Sequence, residues 1–467
     1  MRNTPTALTL TLTALVLILN VPAFASFDYP TPEVDVNDLG FYQPPISTEP
    51  YPLTTAKKVR NVILCIGDGM GLNQVALARL RAAGPAGKLH MERLPVSGIM
   101  RTHSANRLVT DSAAAGTALS SGIKTKNGMI GQAPDGAPYR TILEAAQARG
   151  MATGLVATSA ITHATPAAFA AHVKSRKMEA DIAQQLLANR VNVLLGGGRK
   201  FFLPKSDPNS GRDDERDLLA EAREAGYSYA ETAWQLRSVN APYLLGLFQY
   251  ESLTTLPPEP MLALMTRKAI RCLHNARAAA PSPKQGFFLM VEGSQIDWAC
   301  HNNDADSCVR QTLLFDEAVK EAIDFALADG RTLLIVTADH ETGGLTIPEG
   351  SLKGTDAKVK WSSGGHTSAA VPVFALGPNA ERFAGVYDNT EITRRLAPLL
   401  GIRPWPQAME CPGLKSSSES MRPGTQRWRR VIRSTGGRGC AMARRHRPAP
   451  LQGPFRPSGS TPTTTNS

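Results

Sequence analysis

Residues 62–71 read VILCIGDGMG, an apolar run of strand length that ends at once in glycines and an aspartate. Alanine-rich stretches that favour helices, such as 141–150 and 317–330, lie between further runs of this kind. Helices that alternate with buried strands predict an α/β fold, with a central, mostly parallel β-sheet flanked by helices on both faces. The other apolar runs are GLVAT (154–158), VNVLLG (191–196), FFLMV (287–291) and TLLIV (332–336).

Polar clusters follow four of these five runs directly, as IGDGMG, LLGGGRK, MVEGSQID and VTADHETGG. Ligands of open α/β sheets bind beyond the carboxyl ends of the strands. We therefore expect the functional site at that edge of the sheet. The polar segment 345–363 interrupts the alternating layout and predicts a small insertion.

The amino-terminal residues 1–25 have the features of a signal peptide. Arg2 supplies the positive charge, residues 8–19 are apolar, and Ala-Phe-Ala at 23–25 is a cleavage site. The alternative, a membrane anchor, is disfavoured because the apolar core is short for a bilayer. We expect an exported protein, periplasmic or extracellular, without a membrane span in its mature form. Residues 26–57 are Pro-rich and predict an extended arm over the surface.

The positive charge of the chain is concentrated at its carboxyl end. The net charge is +11, and residues 411–467 contain eleven Lys and Arg against one acid, Glu419. The other residues, 1–410, which include the predicted catalytic domain 58–410, therefore carry a net charge of only about +1, which disfavours nucleic acid as a specific partner. The tail is rich in Ser, Thr, Pro, Gly and Arg and predicts disorder. It is either a basic arm for an acidic surface or a solvated, even frame-disturbed, end, and we favour the second reading.

Six cysteines in an exported protein permit disulfides without requiring them. Cys65 lies inside an apolar run and predicts a buried free thiol. Cys300 and Cys308 are close enough in sequence to pair, but spacing alone does not decide the matter.

Two acidic motifs are weak signals when each is taken alone. Asp68 after a strand, or Asp111-Ser112 before a helix, is typical of a turn or an N-cap. The segment VEGSQIDWACHNND (291–304) is more informative, because Asp297 and His301 share one face if it is helical. Such a pair suits a divalent metal such as zinc. The alternative is a capped helix with a surface histidine.

The complete set of acids and histidines indicates more than one metal. Asp339 and His340 follow a buried run directly, and His366 precedes another apolar run. Carboxylates gathered at the ends of strands would repel one another unless cations were bound. The candidate carboxylates are Asp68, Asp111, Glu292, Asp297 and Asp339, and the candidate histidines are His301, His340 and His366.

Six motifs in order, IGDGMG, VTDSAAAGTA, THATPAAF, EGSQID-x3-H, TADHETGG and GGHT, resemble the alkaline phosphatase family from about residue 60 to 400. The resemblance implies a three-layer α/β sandwich with a small crown-like insertion. It also implies metal-dependent hydrolysis of small-molecule phosphate monoesters, with broad specificity and a covalent phosphoserine intermediate. Family members are often dimers, so a homodimer is expected from the resemblance.

The resemblance also assigns roles to residues of this chain. Ser112 would be the nucleophile, oriented by Asp111, and Arg176 would grip the phosphate oxygens. His163 stands where many bacterial members have aspartate, and Trp298 stands where some have lysine. His163 is thus a candidate ligand of the third metal, or else a hydrogen-bond partner of a carboxylate beside it. The ligands would be Asp297, His301 and His366 for one Zn²⁺, Asp68, Asp339, His340 and Ser112 for a second Zn²⁺, and Asp68, Thr165 and Glu292 for a Mg²⁺.

Two other classes of protein compete with this interpretation. Phosphodiesterases and sulfatases share the two-metal framework, but their nucleophile is a threonine or a modified cysteine or serine in a different motif. A non-catalytic protein that binds metal or phosphate would lack Ser112 or a zinc ligand, and this chain lacks neither. VTDSAAAGTA therefore favours the monoesterase.

Overall fold

The computed structural model describes residues 38–54, 56, 58–278 and 286–409. The predicted signal peptide, the first part of the arm and the basic tail lie outside these residues. Described arm residues run along the body of the protein. The Tyr42 hydroxyl donates to the buried Asp316 carboxylate over 2.6 Å, and the Tyr51 N–H donates to the Arg93 carbonyl.

Helices and strands alternate along most of the chain. The helices are α1 Leu72–Ala83, α2 Ser112–Ser121, α3 Ile142–Ala148, α4 Ala164–Ala167, α5 Glu179–Ala188, α6 Leu218–Glu224, α7 Ala233–Ser238, α8 Leu262–Ala278, α9 Gln295–His301, α10 Ala305–Asp329 and α11 Glu391–Leu399. The strands are β1 Asn61–Gly67, β2 Val96–Arg101, β3 Ala152–Ala160, β4 Val193–Gly197, β5 Ser228–Ala230, β6 Leu244–Leu247, β7 Phe287–Gly293, β8 Thr332–Thr337, β9 Glu341–Thr342, β10 Thr346–Glu349, β11 Lys358–Lys360, β12 His366–Thr367, β13 Val371–Leu376 and β14 Gly385–Asp388.

Ten strands form one sheet in the order β14-β2-β13-β8-β1-β7-β3-β4-β6-β5. Within this sheet only β13 runs antiparallel to its neighbours, β2 and β8. Every residue of β1, β3, β4, β6, β7 and β8 is buried, so both faces of the central sheet are covered. The structure thus confirms the mostly parallel α/β sheet that the apolar runs predict.

Four adjacent strands, β8, β1, β7 and β3, bring the acidic motifs to one edge. Their register places Ile66 opposite both Glu292 and Thr337. Asp68 is the first residue after β1, and Asp339 lies two residues after Thr337, the last residue of β8. Carboxyl ends of parallel strands meet at the same edge of a sheet, and the site forms there.

The segment 345–363 is an insertion, as the sequence predicts. Its strands β10 and β11 pair antiparallel to each other and are mostly exposed. A second small ladder, β9 with β12, pairs Thr342 with His366 and so draws His366 back to the sheet edge. Among the described residues, no helix is long and apolar enough to cross a membrane.

Candidate active site

Ser112 is the first residue of α2, and Asp111 is its N-cap. The Asp111 carboxylate accepts hydrogen bonds from the backbone N–H of Ala114 (3.0 Å) and of Gly128 (2.9 Å). Ser112 Oγ lies 3.3 Å from His340 Nε2. The serine hydroxyl therefore stands at a helix N-terminus, where backbone N–H groups and the helix dipole favour an anion.

Small residues allow α2 to approach another helix closely. All ten residues of α2 are buried. A Cβ added to Gly116 would stand 2.9 Å from the Ala168 Cβ, just after α4, and Ser120 Oγ donates to the Ala168 carbonyl over 2.6 Å. The close neighbour of these small residues is the α4 segment. That segment carries Thr165.

Asp297, His301 and His366 converge with their acceptor atoms facing one another. His301 Nδ1 donates to the Gly364 carbonyl (2.8 Å), and His366 Nδ1 donates to the Thr110 carbonyl (2.9 Å). A carbonyl only accepts, so each Nδ1 carries a proton and Nε2 is the nitrogen left for a metal. The Asp297 carboxylate raises the pKa of His301 to about 9 and also raises the pKa of His366, so a metal that binds there competes with a proton for Nε2. The two Nε2 atoms are 3.1 Å apart and lie 3.2 and 3.4 Å from the Asp297 carboxylate.

His340 faces two carboxylates in the same way. Its Nε2 lies 3.4 Å from Asp68 and 3.2 Å from Asp339. Its Nδ1 is 3.3 Å from Thr342 Oγ1, which itself donates to the Asp297 carboxylate. That hydroxyl therefore accepts from Nδ1–H, and Nε2 presents a lone pair. The geometry brings Asp68, Asp297 and His340 together as a compact buried group, with Asp339 beside His340.

A third group of possible ligands contains Asp68, Glu292 and one ring nitrogen of His163. Thr165 lies two residues after His163 on α4 and is fully buried. His163 Nε2 is 3.1 Å from Arg176 Nη2 and accepts from it, and the imidazole ring packs edge-on against Trp298. His163 therefore lies between the guanidinium and two carboxylates.

Arg176 is held on two sides near the serine. Its Nη1 lies 3.4 Å from the Asp111 carboxylate, and its backbone N–H donates to the Gly128 carbonyl over 2.7 Å. The Arg176 side chain is only about one quarter exposed, at 26%. These contacts place the guanidinium beside Asp111 and His163.

Burial controls the protonation of Asp68, Glu292, Asp339, His163 and His340. Burial and the neighbouring Asp339 carboxylate raise the pKa of Asp68 well above its ordinary value. Burial also raises the pKa of Glu292 to about 7 and of Asp339 to about 6. Burial lowers the pKa of His340 and brings that of His163 down to about 3, so both rings are neutral near pH 7. Neutral imidazole is the form that binds metal.

Several polar atoms of the cluster are buried and have no hydrogen-bond partner among the described residues. Buried polar atoms are normally paired, because an unpaired one keeps its full cost of desolvation. Oxygen atoms and imidazole lone pairs that converge without a donor fit divalent cations. The unpaired oxygens are both carboxylate oxygens of Asp68, Oδ2 of Asp339, Oε1 of Glu292 and Oγ1 of Thr165. Nδ1 of His163 is also unpaired, but it carries the proton of the neutral ring, because Nε2 accepts from Arg176.

The sequence reading missed the residues that orient these ligands. Thr342 bridges Asp297 and His340, and Glu341 accepts from Gln74 Nε2 (2.7 Å) and from the Thr367 hydroxyl. Glu341 and Thr342 directly follow His340 in the motif TADHETGG. The motif identifies this segment as part of the site, but it does not show which residues bind metal and which orient the metal ligands. Groups that orient ligands in this way tune metal sites.

Comparisons with known proteins show the family to which the chain belongs. Residues 59–356 and 349–402 match the family model described as alkaline phosphatase. Alkaline phosphatase 4 of Bacillus subtilis is 36% identical, over 72% of this chain and 87% of that protein. The alkaline phosphatase of Escherichia coli is 32% identical, over 74% and 87%.

A solved structure is similar over the same region. Alkaline phosphatase from the Antarctic bacterium TAB5 aligns with a TM-score of 0.67 at 35% identity, over 74% of this chain and 99% of that one. A variant of that enzyme with a histidine replaced by aspartate has magnesium bound in its M3 site. The fold, the ordered motifs and these matches agree, and the chain belongs to the alkaline phosphatase family, whose members hydrolyse phosphate monoesters.

Proposed function

We propose that hydrolysis proceeds through a phosphoserine formed on Ser112. Ser112 Oγ forms a bond to phosphorus while the ester P–O bond breaks and the alcohol leaves, and water then displaces Ser112 from phosphorus. The observation that carries this proposal is the position of Oγ, which lies at the N-terminus of α2 and 3.3 Å from His340 Nε2. A nucleophile in line with the leaving group suits phosphoryl displacement.

Arg176 and the α2 N-terminus are the chain's own groups for the phosphate. The guanidinium offers a planar pair of donors to two phosphate oxygens, and the backbone N–H groups of α2 offer further donors. In this proposal Asp111 positions both phosphate-binding groups, since its carboxylate caps α2 and lies 3.4 Å from the Arg176 guanidinium. Loss of Asp111 would release the helix cap and the arginine together.

We propose two Zn²⁺ and one Mg²⁺ as the cofactors. Such ions, when bound, would neutralise charge on the phosphoryl oxygens and favour the ionised form of the serine hydroxyl. The mixed nitrogen and oxygen donors suit zinc, and the oxygen-rich third group suits magnesium. Asp297, His301 and His366 would hold one Zn²⁺, Asp68, Asp339, His340 and Ser112 the other, and Asp68, Thr165 and Glu292 the Mg²⁺, with His163 beside it.

We also propose that the protein is exported and that it forms a homodimer. Residues 1–25 support secretion to the periplasm or beyond the cell, because they have the charge, apolar core and cleavage site of a signal peptide. Small phosphate monoesters are the proposed substrates, with broad specificity. A homodimer is the proposed assembly and rests on the family resemblance alone.

A substrate panel and a metal analysis on the purified mature protein test this function. We expect release of p-nitrophenol from the phosphate monoester, with far slower release from the bis-ester and from the sulfate. Metal analysis should give two zinc ions and one magnesium per chain. Preferred cleavage of the bis-ester or the sulfate would overturn the monoesterase assignment, and one metal or none would overturn the cofactor assignment.

A further inference from the structure

Two buried cysteines touch at the junction of α9 and α10. Cys300 is next to His301 on α9, and Cys308 lies in the first turns of α10. Their Sγ atoms are 3.5 Å apart, and neither residue is exposed. The connection between the helices, 302–304, is only three residues long, so it brings the end of one helix against the start of the next.

The turn between the helices is itself well ordered by hydrogen bonds. The Asp304 N–H donates to the Ala299 carbonyl over 2.9 Å, and the Asp304 carboxylate caps α10 by accepting two backbone N–H bonds. The Cys308 N–H donates to the Asp304 carbonyl over 3.0 Å. The two sulfur atoms are therefore held together by the backbone on either side of the turn.

We propose that Cys300 and Cys308 form a disulfide in the exported protein, and that this bond fixes α9 and its residues Asp297 and His301. A disulfide has an S–S distance of about 2.05 Å, so the sulfurs must approach by about 1.5 Å, and the three-residue turn already holds them in contact. Fixing the helix makes Cys300 and Cys308 positioning residues for the proposed first metal.

Formation of the bond requires an oxidant, which is a disulfide-bearing oxidoreductase or oxidised glutathione. In thiol–disulfide exchange each cysteine loses its hydrogen, the S–S bond forms here, and the oxidant's own disulfide is reduced to two thiols. Both sulfurs are buried in the folded chain, so the exchange takes place during folding. The inference rests on the proposed export, because exported proteins fold in an oxidising compartment.

The sulfur of Cys300 also borders the network that orients the metal ligands. Gln74 Nε2 lies 3.8 Å from Cys300 Sγ and donates to Glu341 Oε1 and to the Thr342 carbonyl, each over 2.7 Å. Thr342 in turn holds the Asp297 carboxylate. A bond at Cys300 therefore restrains the helix next to the contacts that position Asp297.

Peptide mass measures the bond directly. Trypsin releases residues 285–310 as one peptide that contains Cys300 and Cys308 and no other cysteine. Protein isolated from the exported fraction is denatured, alkylated without reduction and digested. We expect this peptide without alkyl groups and two hydrogen atoms lighter than the dithiol form. The same chain produced without residues 1–25 in a reducing cytoplasm should carry two alkyl groups.

A refolding experiment tests the disulfide independently of whether the protein is exported. Denatured protein refolded in reduced and oxidised glutathione should form the same disulfide wherever the cell places the chain. If the peptide is doubly alkylated both in the exported protein and after refolding, Cys300 and Cys308 do not form a disulfide and the proposal is overturned. Failure of export alone would appear as absence of the protein from the exported fraction, with the refolded disulfide intact.

The rate of zinc loss to a chelator measures the positioning role. We expect severalfold faster loss from the double variant Cys300→Ala and Cys308→Ala than from the oxidised wild type, while zinc added in excess restores its turnover. Cys272→Ala, which removes a buried sulfur from α8, is the matched control and should behave as wild type. Equal loss from the double variant and the oxidised wild type would overturn the role of the bond.

Discussion

At the scale of single residues, Ser112 is where a helix N-terminus, a neutral histidine and a cluster of carboxylates meet. We predict that Ser112→Ala lowers turnover by roughly 10³-fold or more, since the nucleophile is lost, while the metals remain bound by their other ligands. Steady-state kinetics and metal analysis of the same preparation measure both. Ser238→Ala, a serine at the exposed end of α7, is the control and should keep full turnover. Wild-type rates in Ser112→Ala would exclude the covalent mechanism.

His163 is the residue whose change should alter the third metal. Its ring lies between Arg176 and the carboxylates of Asp68 and Glu292, where an aspartate would add an oxygen ligand. Magnesium prefers oxygen, so His163→Asp should reach half-maximal activation at a lower magnesium concentration. Magnesium is titrated into zinc-loaded wild type and variant while turnover is followed. Superimposable curves would mean that His163 does not tune this site.

The raised pKa values of Glu292 (about 7) and Asp339 (about 6) predict how pH controls metal binding. A metal binds the ionised carboxylate, which predominates above the pKa and is lost as the pH falls through it. Binding should therefore be full in alkali and weaken as the pH drops from about 7 through 6. Metal retained after dialysis across this range measures it, and turnover should rise toward alkaline pH. Full retention, or an activity optimum, near pH 5 would contradict this prediction.

At the scale of elements, the fit of α2 against the α4 segment depends on Gly116. A methyl group at Gly116 would stand 2.9 Å from the Ala168 Cβ. Alanine has no flexible side chain that could move away, so the two helices would have to shift apart. Overpacking costs about 1–3 kcal/mol, against a gain of about 1 kcal/mol for alanine over glycine in a helix. We therefore predict that Gly116→Ala lowers the melting temperature and that adding Ala168→Gly restores part of it. Unchanged stability in Gly116→Ala would contradict the close approach.

The elements that sequence predicts best are those with strong local patterns. Four of the five apolar runs fall within β1, β3, β7 and β8, and the fifth, VNVLLG, begins two residues before β4. The segment with Asp297 and His301 is helical, which is the condition under which the sequence places both side chains on one face. The reversed direction of β13, the pairing of β9 with β12 and the role of Thr342 were not predicted. They depend on contacts between distant segments, which composition and local period do not encode. The placement of His366 beside Asp297 followed only from the family resemblance.

At the scale of the whole molecule, the chemistry lies in the near-neutral part of the chain. Every proposed ligand precedes residue 367, and the family match ends at residue 402. We predict that removal of residues 411–467 leaves turnover and metal content unchanged, because that segment has too few apolar residues to form a hydrophobic core. Kinetics of the full and shortened proteins, matched for folding by circular dichroism, decide the point. Loss of activity in a folded, shortened protein would show that the tail contributes to catalysis.

The phosphoserine is the central claim, and mass spectrometry of the quenched enzyme tests it most directly. The enzyme is mixed with a phosphate monoester, quenched in acid and digested with trypsin, which releases Ser112 in the peptide 108–124. We predict that this peptide gains one phosphoryl group, that fragmentation places the group on Ser112, and that Ser112→Ala gains none. A phosphoryl group on another residue, or an unmodified peptide from an enzyme quenched while turning over, would contradict the account.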